Sequence, residues 1–203
     1  MLQENCYVVS DDTKECVIID CGAYYEAEKL AIEKYIKTNE LKPVHLIATH
    51  GHLDHNFGDA FITKTYGLPL EIDSSDESYV LAADKQAAYF GMTLDEPIVT
   101  EIKTFKAGDI FKFGTHEIEV IETPGHSMGR VGLYIKDEKV AFTGDTLFRG
   151  SIGRTDFDGG SMLMIIQSLR MFVQFPDDIT LLPGHGQQTT MGYELAHNPY
   201  LDR

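Results

Sequence analysis

Apolar positions in this chain fall into short β-branched runs that alternate with longer stretches in which apolar and charged residues recur at helical spacing. Residues 7–9 and 16–20 are runs of the first kind, separated by the polar turn 10–14, and read as a hairpin. Over 26–37, Ala27, Leu30, Ala31 and Tyr35 share one face of a helix with charges opposite, so that face is expected to be buried. Pro43 breaks the pattern, and 44–48 reads as a buried strand. A helix through 60–66, a strand at 69–72 and a helix capped by Ser74 or Ser75 and running to about residue 89 follow. The second half is richer in strand: 109–113, 116–122, 132–135 and 140–143 form a meander divided by Gly and polar turns. A helix over 161–173, a strand at 179–182 and a short helix near 191–196 complete the chain. Two sheets face to face with helices outside suit this order, and the meander argues against a single doubly wound sheet.

The 203 residues are 43% hydrophobic and 24% charged, an ordinary globular composition with length for one well-buried core and a small appendage. Seventeen Lys and Arg against 32 Asp and Glu give a net charge of −15, which repels a phosphate backbone, so no nucleic-acid partner is expected. No stretch approaches the roughly 18–20 apolar residues of a membrane span. The first five residues carry no basic region followed by an apolar run, so no signal peptide is read, no membrane partner is expected and the chain is expected to be cytoplasmic. Cys6, Cys16 and Cys21 are too few and too irregularly spaced for a disulfide framework and read as reduced packing residues. The composition departs from the ordinary in its eight histidines, five of which stand beside Gly, Pro or Asp in turn-like clusters.

Those clusters share a plan, because four apolar runs each end in a turn that delivers a metal-ligand side chain. The run 44–48 leads to His50, His52, Asp54 and His55; 118–121 leads through Pro124-Gly125 to His126; 140–142 leads through Gly144 to Asp145; 179–182 leads through Pro183-Gly184 to His185. Strand ends hold loop side chains within the tolerance coordination demands. Gly51, Gly125, Gly144 and Gly184 let the chain turn sharply or pass close to a metal. Five imidazoles and two carboxylates without thiolate favour zinc, with iron or manganese as alternatives. Seven donors are too many for one tetrahedral ion. They suit two ions about 3.5 to 4 Å apart, one held by three histidines, the other by two histidines and a carboxylate, with the second carboxylate and a hydroxide between them. A lone Pro-Gly-His is usually a turn with a surface histidine, but three histidines and an aspartate within six residues rarely arise from packing. His45, His116 and His197 lack that context and read as strand or surface residues, and Tyr89, Phe90 and Met92 as core packing rather than a cover over the site.

The string His50-Gly-His52-Leu-Asp54-His55 resembles the His-x-His-x-Asp-His motif of the metallo-β-lactamase superfamily. Pro124-Gly-His126-Ser, Thr143-Gly-Asp145-Thr and Pro183-Gly-His185-Gly follow in the superfamily's order, so the resemblance covers nearly the whole chain. It implies an α/β fold, the four-layer αββα sandwich, as a single domain over 1–203. It also implies that His50, His52 and His126 bind a first metal, that Asp54, His55 and His185 bind a second, and that Asp145 bridges them. Residues 145–156 and 192–200 are similar to the short glyoxalase II-like hydrolases in particular. Metallo-β-lactamases proper commonly carry cysteine where this chain has Asp145, which turns the expectation away from β-lactams. Larger glyoxalase II enzymes add a C-terminal helical domain holding most of the glutathione site, whereas 18 residues follow His185 here, so no such substrate domain is expected. Relatives usually have a further strand of about ten residues ahead of Leu2, whose absence would leave an unpaired sheet edge.

The resemblance implies hydrolysis of a small-molecule acyl-thiol substrate at two divalent ions, zinc first, that lower the pKa of a shared water. Asp54 is expected to orient that water and accept its proton, and because thiolate leaves readily no strong general acid is needed. Arg149 and Arg154, just past Asp145, are candidates for contact with an acidic substrate tail, with salt bridges inside the fold as the alternative. One rival is a persulfide dioxygenase with a single iron on His50, His126 and Asp145, a branch that shares a Gly-Arg-Thr-Asp segment like residues 153–156. A phosphodiesterase or nuclease fits the metal set and conflicts with the charge, and a non-catalytic metal-binding module is the rival from outside enzymology.

Overall fold

The β-branched runs of the sequence become strands, several of them buried on both faces, as the computed structural model shows; residues 3–201 are described. The expectation about the chain ahead of Leu2 falls outside the described residues. The chain divides into two compact units, residues 3–105 with 112–116, and residues 106–111 with 117–201.

In the first unit β1 (Tyr7–Ser10) and β2 (Glu15–Ile19) form the expected antiparallel hairpin, Tyr7 opposite Ile19. Helix α1 (Glu26–Thr38) then crosses to β3 (Lys42–Ile47), parallel to β2. Helix α2 (Asp59–Tyr66) leads to β4 (Leu70–Asp73), and α3 (Glu77–Leu81) and α4 (Ala83–Tyr89) lead to β5 (Ile102–Phe105), so the sheet runs β1-β2-β3-β4-β5 with its last three pairings parallel. Parallel neighbours require such crossovers, and strands covered on both faces must be apolar throughout. Cys16, Val17, Ile18 and Ile19 accordingly have no exposed surface, and Ile18 packs with Ile36, Leu46, Ile62, Leu70 and Ile72 in one core.

Several expectations are corrected. On α1 the Ala27, Leu30, Ala31 and Tyr35 face is exposed, and the helix packs through Ile32 and Ile36. Ile32 and Ile36 stand one helical turn apart and form the stripe that meets the core. Pro43 lies inside β3, opposite Cys16 at a register shift, where the missing N–H does not interrupt the ladder. The single helix expected to about residue 89 is two, broken at Ala82, and the residue before the first is Asp76, with neither serine capping it. Strand β5 was not expected, because only Phe105 of its four residues is buried and the pattern is too short to read. Its Lys103 pairs with Glu71 of β4 at 2.7 Å. Met92 packs on the core as expected, whereas Tyr89 and Phe90 are exposed.

In the six-stranded sheet β6 (Ile110–Phe113), β7 (His116–Glu122), β8 (Val131–Ile135) and β9 (Val140–Gly144) form the expected meander. The short pair β10 (Leu147–Phe148) and β11 (Ser151–Ile152) follows, then α5 (Met162–Phe172), whose N-terminus Ser161 caps by accepting from Met164 N, and which buries Ile165, Leu169 and Phe172. Strand β12 (Thr180–Pro183) lies parallel to β9, and β13 (Thr189–Thr190) and α6 (Met191–His197) close the chain, giving the order β13-β12-β9-β8-β7-β6. Cys16 and Cys21 are buried free thiols, as expected of packing residues. Among the described residues no helix is long and apolar enough to cross a membrane.

Asp59 opens α2 fully buried, and neither carboxylate oxygen has a hydrogen-bond partner among the described residues. A helix N-terminus favours an anion, but here burial dominates, and with Cys21, Asp20 and Glu4 nearby it pushes the Asp59 carboxyl well above its usual range. The folded state keeps this proton after the unfolded chain has lost it, so stability falls as pH rises above about 4. Asp59→Asn is therefore expected to raise the urea midpoint of the metal-free protein, with a larger gain at pH 7.5 than at pH 4.5; an equal gain at both would refute this.

Candidate metal centre

Strand β3 ends at Ile47, and its continuation carries the histidine-rich loop. His50 and His55 have no exposed surface and His52 is buried, with ring centroids of His50 4.7 Å from His52 and 4.2 Å from His55. Asp54, in the single 3-10 turn Leu53–His55, is the more open member, its side chain 18% exposed and its Oδ2 3.9 Å from His55 Nε2. The first unit thus brings together the four ligand candidates that the sequence places there.

Their orientation comes from residues the sequence reading did not single out. Asp20, buried at the end of β2, accepts hydrogen bonds from Thr49 N (2.6 Å), Thr49 Oγ1 (2.8 Å) and His55 Nδ1 (3.1 Å). Because the Thr49 hydroxyl gives its proton to Asp20, its oxygen is left to accept from His50 Nδ1 at 3.1 Å. Both imidazoles therefore carry their proton on Nδ1 and present a lone pair at Nε2, the form a metal requires. The Asn56 side chain donates to His50 O (3.0 Å) and His52 O (2.6 Å), and Asp76 Oδ2 accepts from Gly51 N at 2.9 Å. Gly51 is obligatory: a Cβ there would lie 2.7 Å from Tyr79 Cβ and 2.8 Å from Asp76 O. Glu4 also reaches this group, with an oxygen within 4.8 Å of Asp20 and His55 ligand atoms, and burial holds its carboxyl at about 10.

The second unit supplies the other three candidates. His126 Nε2 and His185 Nε2 lie 3.5 and 3.6 Å from Asp145 Oδ2. His126 Nδ1 donates to Arg154 O at 2.7 Å, since a carbonyl can only accept, which again leaves Nε2 with its lone pair. An imidazole lone pair facing a carboxylate oxygen at this distance calls for a cation between them, and the donor set of nitrogen and oxygen fits a divalent ion. Gly125, at φ 133°, passes so near α5 that a Cβ would lie 2.3 Å from Ile165 N. The turn bearing Asp145 is held by fully buried Arg130, which donates to Thr146 Oγ1 (2.7 Å) and to Thr143 O. Of the two candidate substrate contacts, Arg154 is bound to Asp156 through Nε and Nη2 (2.6 and 2.7 Å), whereas exposed Arg149 stacks on the Tyr193 ring at 4.5 Å. His45 pairs with Glu71 at 2.6 Å, a strand role as expected, and His197 stacks on Tyr193.

Residues 1–185 match the Metallo-beta-lactamase superfamily. The chain belongs to the metallo-β-lactamase superfamily. It is similar to the hydroxyacylglutathione hydrolase GloC of Haemophilus influenzae, 35% identical over 98% of this chain and 93% of that protein. Among solved structures of the superfamily, a protein crystallised in a di-iron-bound form superposes with a TM-score of 0.86 at 34% identity, covering 98% of this chain and 96% of the other. The BLEG-1 B3 metallo-β-lactamase superposes with a TM-score of 0.86 at 32% identity, covering 100% and 96%. The fold is thus the metallo-β-lactamase fold, and the chain is a metal-dependent hydrolase of that superfamily.

Removing the carboxylate that fixes His55 and, through Thr49, His50 is expected to lower divalent-metal affinity roughly 10- to 100-fold, the usual effect of losing a partner behind the ligands. Chelator competition on Asp20→Ala measures this, and unchanged affinity would remove Asp20 from the account.

Proposed function

We propose that this protein is a thioester hydrolase of glyoxalase II type that holds two divalent metal ions, zinc in the first instance. The observation that carries this reading is the pair of half-sites, His50-His52-Asp54-His55 in one unit and His126-Asp145-His185 in the other, in which three imidazoles have Nδ1 engaged by an acceptor and keep Nε2 for a ligand role. The similarity to GloC over nearly the full length supports the thioester, and the di-iron-bound relative supports a metal pair and makes iron the alternative occupant.

In this reading His50, His52 and His126 would hold one ion and Asp54, His55 and His185 the other, with Asp145 a carboxylate available to both. When bound, the ions supply a hydroxide at neutral pH and stabilise the oxyanion formed on the thioester carbonyl. Asp54, alone among the first unit's four candidates in reaching water appreciably, orients the attacking water and takes its proton. The leaving thiolate needs no protonated partner, which agrees with a ligand set that reserves no side chain as general acid. Arg149 carries no ion pair among the described residues and is the guanidinium offered to an acidic tail of the thiol carrier, while Arg154 contributes its carbonyl to His126 and its charge to Asp156. The substrate is a small acyl-thiol, and neither nucleic acid nor membrane is a partner.

Metal analysis combined with an assay panel tests this. We expect two ions per chain and hydrolysis of S-lactoylglutathione that chelation abolishes, with His55→Ala retaining one ion. One iron per chain with oxygen uptake on glutathione persulfide would overturn the proposal in favour of a dioxygenase, and turnover of a β-lactam without thioester hydrolysis would overturn it in favour of the activity for which BLEG-1 is named.

A further inference from the structure

The loop between His50 and Leu53 is clamped from α4 by one side chain. Gln86 Nε2 donates to Gly51 O at 3.0 Å and to Tyr79 O at 2.8 Å, while its Oε1 accepts from Leu53 N at 3.0 Å. These bonds fix the orientation of the amide, since the flipped form would set oxygen against two carbonyls and N–H against N–H. Gly51 O belongs to the peptide group before His52, and Leu53 N to the peptide group after it. A single planar amide therefore holds both peptide planes that meet at the His52 Cα, and those planes determine where the imidazole points. The third bond, to Tyr79 O in the middle of α3, anchors the amide itself, and the Tyr79 ring stands edge-on to the His52 ring with centroids 5.6 Å apart.

Gln86 shares the peptide group after His52 with Asn56, which takes its oxygen, and itself holds the peptide group before it. Asn56 and Asp76 share the peptide between His50 and Gly51, through His50 O and Gly51 N, and Asn56 takes His52 O on the far side. Asp20 and Thr49 serve His50 and His55. We infer that Gln86 is a positioning residue for His52, and that it sets the affinity of one of the two metal ions while leaving the other largely alone. The inference rests on the proposed function, in which His52 is a ligand of the first ion only.

Cobalt(II) titration of the metal-free protein, followed by absorbance and by chelator competition, tests it on wild type, His52→Ala and Gln86→Met. Wild type is expected to take two equivalents. In Gln86→Met one equivalent should weaken about 10- to 100-fold and its ligand-field bands shift toward those of His52→Ala, while the other stays within about threefold. The melting temperature of the metal-free variant should match wild type. Unchanged affinity for both equivalents overturns the inference, and so does equal weakening of both with a lowered melting temperature, the mark of a merely structural role. If Gln86→Met does not fold, Gln86→Glu, which keeps the acceptor for Leu53 N and loses both donors, is judged by the same outcomes. A wild-type protein that takes fewer than two equivalents overturns the proposed function itself, and this is read before any variant is compared.

Discussion

The carboxylate of Asp20 is the fixed point of the first unit. Strand pairing puts it there: Asp20 N donates to Ile47 O at 2.9 Å, extending the β2–β3 ladder by one bond beyond the last strand residue. Its backbone then turns into the left-handed region at φ 52°, tolerable for aspartate, and swings the side chain toward the loop after β3. A buried carboxylate is costly unless donors surround it, and Thr49 and His55 supply three. The same bonds that offset this burial decide which nitrogen of His50 and of His55 carries the proton. The sheet register thus places one side chain that holds the loop and sets the tautomers of two candidate ligands.

The candidate ligands were legible in the sequence because they are dense or sit in turns after apolar runs, and the parallel strands were legible because burial on both faces leaves a continuous apolar run. The residues that orient the ligands were not. Asp20 lies 35 positions from His55, Asp76 25 from Gly51, Gln86 33 from Leu53, and Arg154 acts through a carbonyl that every residue possesses. Nothing in residue type marks an ordinary glutamine on a short helix as the brace of a loop. Only the sheet order and crossovers create these neighbours. The failure on α1 has another origin. The helix carries two apolar stripes, and counting positions favoured the one with Ala27, Leu30, Ala31 and Tyr35 over Ile32 and Ile36, the pair that the crossover turns toward the core.

The acidic composition also changes meaning once placed. A charge of −15 suggested a surface kept soluble by carboxylates, yet Asp20, Asp59 and Asp76 are fully or almost fully buried, Glu71 and Asp145 are nearly so, and Glu4 is half-buried. They answer burial in different ways. Asp20 and Asp76 gather donors from the ligand loop, and Glu71 is held below its ordinary range, its burial outweighed by His45 and Lys103. Glu4 and Asp59, which lack enough donors, keep their protons instead. The formal count therefore overstates the negative charge around the first unit's histidines.

The two units solve the same problem with partners of different strength. Each must present a neutral imidazole with its lone pair on Nε2, and each does so by occupying Nδ1 with an acceptor. Behind His55 that acceptor is an anion, Asp20; behind His50 it is a hydroxyl polarised by the same anion; behind His126 it is the neutral carbonyl of Arg154. An imidazole hydrogen-bonded to a carboxylate is the more basic donor, so of these three candidate ligands His55 is the strongest donor and His126 the weakest. Asp145 restores the balance from the other side, because its carboxylate stands 3.5 Å from His126 Nε2 and 3.6 Å from His185 Nε2, putting charge directly at the ligand atoms rather than behind them. Donor strength in the first unit thus comes from an anion placed beyond its histidines, and in the second from an anion placed among them.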